Sequence, residues 1–190
     1  MEEITGHMAH DIPILTTERL VLRPFVMEDA LRVQALAGTA EVAATTLNLP
    51  HPYPEGAAAR WIGTHAPAAA AGTSDTWAIV CAADAALVGA VALTMERRHA
   101  RGELGYWLGA PYWGQGYTTE AARRVTAFGF ADRGLHRIEA HCFPRNRASA
   151  RVMEKAGLRY EGRLRGYVRK GETFEDVLVY GLVRTDVAGL

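Results

Sequence analysis

Around Leu20 the side chains alternate: Leu20 and Leu22 stand against Arg19, Val21 and Arg23, and the run stops at Pro24, whose nitrogen has no proton to give a sheet. A two-residue period marks a strand with one face inward, so a first strand is expected here. The period then lengthens. Through Met27–Ala37 the apolar Ala30, Val33, Leu36 and Ala37 share one helical stripe, with Glu28 and Asp29 in the first turn, where acids suit the helix dipole. The proline-rich run Asn48–Gly56 reads as a loop, and 55–66 as a second helix turning Trp61 and Ile62 inward. Segment 66–75, with Pro67 and later Gly72, is expected to end that helix and cross the surface.

Runs 76–82 and 86–95 are dense in apolar and β-branched residues and are separated by Ala83, Asp84 and Ala85, which predicts a hairpin of two buried strands. Run 101–109 is a third strand of this kind. In 136–143, Ile138, Ala140 and Cys142 alternate with Glu139, His141 and Phe143, another strand. Segment 146–157 opens on Asn146 and closes on Gly157, residues suited to cap a helix at its two ends. The remainder, 158–183, reads as strands turning at Lys170 and Gly171. A meander of strands followed by strand, helix, strand, helix, strand argues for an α/β fold with a mixed sheet covered by helices on both faces.

At 190 residues the chain suits one domain, 1–190, with 1–15 a flexible or loosely packed N-terminal segment. Lys plus Arg and Asp plus Glu are 21 each, so no overall positive field exists to hold nucleic acid, and any bound anion must be held locally. The first twenty residues carry acids where a signal peptide carries bases and show no long apolar run, so neither export nor membrane insertion is indicated and a cytoplasmic location is expected. Cys81 and Cys142 fit no metal or redox spacing and read as small buried hydrophobes; the scattered histidines suggest no metal site.

One stretch carries chemistry. Between the strand at 101–109 and the helix that starts near Tyr117, Gly114 and Gly116 let the chain curl tightly, and the first N–H groups of a helix have no partner within it. Such groups form an anion socket, the dipole adding roughly 0.3–1 kcal/mol at exposed sites. Gly114, Gln115, Gly116, Tyr117 and Thr118 are the residues that would make it. No Lys-Ser/Thr follows the last glycine and no third glycine stands at the dinucleotide interval, so this is neither a P-loop nor a Rossmann fingerprint. A tight strand-to-helix turn with no ligand is the alternative.

Segments 17–25, 102–122, 136–162 and 175–183, in this order and spacing, resemble the GNAT acetyl-CoA-dependent N-acetyltransferases, and more narrowly their RimJ/RimL group. The resemblance implies the GNAT fold: a central mixed, mostly antiparallel, twisted sheet of about seven strands with helices on both faces. It implies acetyl-CoA as cosubstrate and no metal. The main chain at Trp107 and Leu108 would pair with the pantetheine arm, and Asn146 would contact it, alongside or instead of capping its helix. Pro111 and Met153 stand where many relatives have Gln or Arg and tyrosine, and Val168 where RimL-type enzymes place a glutamate. The loop 47–56 would wall the acceptor site, His51 and Tyr53 being its polar side chains of any reach.

Acetyl transfer to an amine needs a neutral amine, a polarised carbonyl and a proton for the departing thiolate. A lysine near ~10.4 is almost wholly charged at neutral pH, an α-amine near ~8 much less so; that gap is roughly 3 kcal/mol of deprotonation. A weak base therefore favours α-amines. Glu103 is the candidate base, acting through a water, or else a strand-end carboxylate. Ser149, matching a serine of the RimL branch, is the candidate proton donor, or else a first-turn serine bonded to its own helix; Tyr167 ranks below it. The acceptor expected is a peptide or protein N-terminus, with a small-molecule amine or a non-catalytic acyl-CoA-binding module as alternatives. A homodimer is admitted and not required.

Overall fold

The structure is a computed structural model that describes residues 11–187. Its strands are β1 (Leu15–Thr16), β2 (Leu20–Pro24), β3 (Ser74–Cys81), β4 (Leu87–Glu96), β5 (Arg101–Leu108), β6 (Arg137–Cys142), β7 (Arg159–Lys170) and β8 (Thr173–Val183). They form one eight-stranded sheet in the order β1-β2-β3-β4-β5-β6-β8-β7. Every junction is antiparallel except β5 with β6, which is parallel. The GNAT fold expected above is the fold found, eight strands against about seven.

Seven helices accompany them among the described residues: α1 (Ala30–Ala37), α2 (Ala40–Thr45), α3 (Ala57–Gly63), α4 (His65–Ala70), α5 (Tyr117–Ala131), α6 (Arg147–Lys155) and α7 (Arg184–Val187). Two cores divide them. On one face Val33 and Leu36 of α1, Val42 of α2 and Ile62 of α3 pack on Ala78, Val80, Ala90 and Trp107 of the sheet. On the other, Ala121, Val125 and Phe128 of α5 and Met153 of α6 cover Leu20, Leu22, Trp77, Ile79, Val91 and Ile138. Burial of a side chain of this size stabilises by about 1.5–3 kcal/mol, which is what commits α5, with its 15 residues, to the sheet.

The alternations at Leu20/Leu22 and Ile138/Ala140/Cys142 point inward as expected. Two helices differ from the reading of the sequence. α2 has six residues, too few to show a stripe, and is started by Thr39, whose hydroxyl accepts the Val42 N–H at 3.4 Å. α4 runs through Pro67 because that proline lies in the first turn, where an N–H has no helical acceptor to lose. Of the segment expected to pack loosely, residues 1–10 lie outside the described residues; in 11–15, by contrast, the Pro13 carbonyl accepts the Trp77 indole N–H at 2.7 Å and Leu15 is buried.

Candidate active site

β5 and β6 pair only through Arg101 with Arg137, Gly102 with Ile138 and Glu103 with Glu139. Beyond Glu103 the strands part, β5 running on to Leu108 and β6 to Cys142. The gap opens a cavity of about 870 Å³, lined by β5, β6, the start of α5, α6 and the chain just after α2. Gly109 N–H donates to Val88 O, and in an antiparallel ladder alternate residues turn their main chain to the same neighbour. Trp107 therefore spends its N–H and C=O on β4, while those of Tyr106 and Leu108 face the gap. This corrects the expectation for Trp107, whose main chain is not free to pair. The Leu108 carbonyl accepts the Trp113 indole N–H at 2.7 Å.

At the far end of the gap Gly114 and Gly116 adopt φ of 77° and 83°, left-handed values that cost any residue with a Cβ. Gly116 is the N-cap of α5 and offers no side chain to it. Among the described residues, no acceptor meets the N–H of Gln115, Gly116, Tyr117 or Thr118. Arg19 fixes how they point: its Nη1 donates to the Gln115 carbonyl at 3.0 Å, and in a trans peptide the following N–H, that of Gly116, faces the opposite way. Glu120, which would otherwise bring negative charge to the helix start, is bound by Arg19 Nε at 2.7 Å and Thr17 Oγ1 at 2.6 Å. Arg151 and Lys155 add cations to the wall from α6. The residues present suit a phosphate-bearing coenzyme. The side chains of Gln115 and Tyr117 do not line the cavity; Gln115 Nε2 donates to Pro111 O, and the Tyr117 hydroxyl lies 4.0 Å from Cys81 Sγ.

Asn146 does cap α6, its Oδ1 accepting the Ser149 N–H at 3.0 Å, and it also faces the cavity. The Ser149 hydroxyl meets Tyr106 OH at 2.9 Å. Tyr106 OH also donates to the Ser149 carbonyl at 3.1 Å. Burial raises the Tyr106 pKa, so the phenol keeps its proton. Tyr106 escaped the reading of the sequence, although the alternation of β5 places it on the face opposite Glu103.

At the mouth of the gap Glu103 Oε1 lies 3.3 Å from His141 Nδ1. The contact holds the Glu103 carboxyl below its ordinary value, against burial, and raises His141 above 6.5. The Tyr167 ring stands 6.2 Å from the imidazole, nearly edge-on. The opposite wall is Thr45–Leu49 with Trp61. Pro50, His51 and Tyr53 are not part of it: His51 Nδ1 bonds Gly38 O at 3.0 Å, and Tyr53 packs on the core beneath α1. The wall is pinned through main-chain carbonyls at the end of α2. Lys170 Nζ donates to Ala43 O at 2.6 Å and to Thr46 O, Asn146 Nδ2 to Thr45 O at 3.3 Å, and Arg145 Nη2 to Ala44 O at 3.4 Å. Behind it, His65 is buried against Phe25 and Trp61, neither ring nitrogen having a partner among the described residues, and burial pushes its pKa down to about 4.

Cys142 is buried, which raises its thiol to about 11, in keeping with a small hydrophobe. Among the described residues no group of His, Cys, Asp and Glu could hold a metal, and no helix is long and apolar enough to cross a membrane.

The profile of the acetyltransferase (GNAT) domain matches residues 19–159. The uncharacterized N-acetyltransferase YoaA of Bacillus subtilis (strain 168) is 32% identical over 173 residues, 90% of this chain and 97% of its own length. An acetyltransferase of the GNAT family from Bacillus anthracis superposes with a TM-score of 0.80 at 25% identity, covering 90% of this chain and 98% of that one. Mycobacterium smegmatis RimJ, solved in complex with CoA-disulfide, superposes with a TM-score of 0.81 at 22% identity, covering 95% and 90%. The matched span runs from β2 to the start of β7 and takes in both the parting strands and the bare amides, and the chain belongs to the GNAT acetyltransferase family, as an N-acetyltransferase.

Proposed function

We propose that the protein moves an acetyl group from acetyl-CoA directly to a primary α-amine, the N-terminus of a peptide or protein, in the manner of the RimJ/RimL group, and does so in the cytoplasm. The observation that carries this reading is the gap between β5 and β6, with unpaired amides at 115–118 at one end and Glu103 with His141 at the other. The amides of Gln115, Gly116, Tyr117 and Thr118, with Gly114 shaping the turn, bind the diphosphate; the main chain of Tyr106 and Leu108 and the side chain of Asn146 take the pantetheine arm; Trp107 lines the space between.

In the reaction the amine nitrogen bonds to the thioester carbonyl carbon, the C–S bond breaks, the nitrogen loses a proton and the sulfur gains one. Ser149 is the donor this arrangement favours. At rest its O–H donates to Tyr106 OH, whose own proton is given to the Ser149 carbonyl; turned into the gap, the serine proton reaches the leaving sulfur. Glu103 acts at the amine. Among the described residues its carboxylate is the only acid lining the cavity, which suits one ammonium group better than a polyamine with several, and an α-amine is easier than lysine to deprotonate by roughly 3 kcal/mol.

Thiol release from acetyl-CoA tests this with peptides bearing free N-termini, the same peptides N-blocked with a free lysine, and spermidine. Turnover of the first set is expected. Turnover confined to lysine or spermidine would refute the α-amine, and none at all would refute the enzyme reading of the site.

A further inference from the structure

We infer that His141, oriented by Glu103, is the group that takes the proton from the acceptor amine, an inference that rests on the acetyl-transfer reading above. Glu103 occupies the last paired position of β5, and His141 stands two residues past the last paired position of β6, Glu139. Side chains two apart on a strand share a face, so Glu103 with Gly105, and Glu139 with His141, project to one side of the sheet. The imidazole leans back across the mouth of the gap onto the carboxylate. The next position along β5 on that side is Gly105, where an added methyl group would have no neighbour within 4 Å. Open space thus lies beside the His141 ring, at the point where the strands separate, and Tyr167 flanks the ring from β7.

The contact also favours one tautomer. A carboxylate accepts and does not donate, so with the carboxylate 3.3 Å from Nδ1 the favoured neutral form carries its proton there and leaves the lone pair on Nε2. The contact with Glu103 engages the ring at Nδ1, not at Nε2. As the C–N bond forms, the amine proton passes to Nε2 while Nδ1–H stays turned to Glu103; the proton on Nε2 is released to water at the mouth, and the sulfur takes its proton from Ser149, which regains one from water. Glu103 is a poor proton acceptor in this setting, since His141 holds its pKa down, whereas a base works best with a pKa near the working pH. The other charged or titratable groups facing the ring are Arg101 from β5, Glu139 from its own strand and Tyr167 from β7; of the two charges, Glu139 reinforces Glu103 and Arg101 opposes it.

The test compares wild type, His141→Gln and Glu103→Gln with one acceptor throughout, so that the amine's own ionisation is common to all. His141→Gln should lower kcat by about 100-fold, the lower end of general-base contributions, with coenzyme Kd and melting temperature unchanged. Glu103→Gln should lower kcat by only about tenfold and shift the acid limb of the pH profile to lower pH, because removing the carboxylate lets the imidazole pKa fall back toward ~6.5. NMR titration of the His141 ring should report a pKa above 6.5 in wild type that drops in Glu103→Gln. A His141→Gln enzyme within threefold of wild-type kcat, an acid limb unmoved by Glu103→Gln, or a ring pKa at or below 6.5 in wild type would each overturn the assignment to His141 and leave acetyl transfer standing. Wild-type protein that binds acetyl-CoA and acetylates no amine overturns the acetyl-transfer reading itself, and the inference with it.

Discussion

The gap between β5 and β6 has two ends made of different material. At the α5 end the contacts on offer are peptide N–H groups, set by two left-handed glycines and by Arg19 pulling on the Gln115 carbonyl. At the β6 end they are side chains, Glu103 and His141, brought together by the register of two parallel strands. A main-chain site depends on backbone angles and tolerates almost any side chain around it. A side-chain site depends on which strands are neighbours and fails when one residue is changed. A site of the first kind can serve a ligand common to a whole family, and one of the second kind can be retuned for one acceptor.

Acid should separate the two ends most strongly. His65, behind the acceptor wall, is neutral in the fold with a pKa of about 4, against 6.5 when unfolded. Its folded value is depressed, so the stability it contributes is complete above pH 6.5 and is lost as pH falls toward 4, about 3 kcal/mol in all. Urea unfolding of wild type and His65→Leu at pH 7.5 and pH 4 should show the variant losing less by about that amount, and acceptor KM should rise on mild acidification before coenzyme affinity changes. Equal acid sensitivity in the two proteins would remove the distinction. Gly116→Val forces a β-branched residue to a φ of 83°, a conformation costing an ordinary L-residue roughly 1–2 kcal/mol. Calorimetry should find coenzyme bound at least tenfold more weakly while the His141 titration stays as in wild type. Asn146→Ala removes the α6 cap, worth about 1 kcal/mol, so the melting temperature should fall by about 2–4 °C. Smallest is Lys170→Met, which frees the carbonyls of Ala43 and Thr46: acceptor KM should rise by roughly two- to fivefold, the order of one lost hydrogen bond, with coenzyme Kd unchanged. A change in both constants would mean that the ends are coupled.

The same contrast decides what could be read from the sequence. The strand alternations, the glycine turn before α5 and the Asn146 cap are local patterns, and each is found where the pattern puts it. Glu103 and Ser149 are both on the cavity wall, but their partners were hidden: His141 lies in a strand 38 positions later, and Tyr106 reaches Ser149 across 43. Only the splayed pairing of β5 and β6 makes these contacts. The alternating direction of main-chain groups in β5, which takes Trp107 out of the gap and leaves Leu108 in it, depends on register with β4. Helix α2 was too short to leave a periodic trace, so the loop expected as a wall, 47–56, meets the lining stretch Thr45–Leu49 only at 47–49.

Lys170, Asn146 and Arg145 all grip carbonyl oxygens at the end of α2, and a carbonyl is the same whatever residue carries it. Positions 44–49 can therefore drift or be randomised while the clamps stay engaged. That stretch is a natural place to diversify what the enzyme accepts without rebuilding the scaffold beneath.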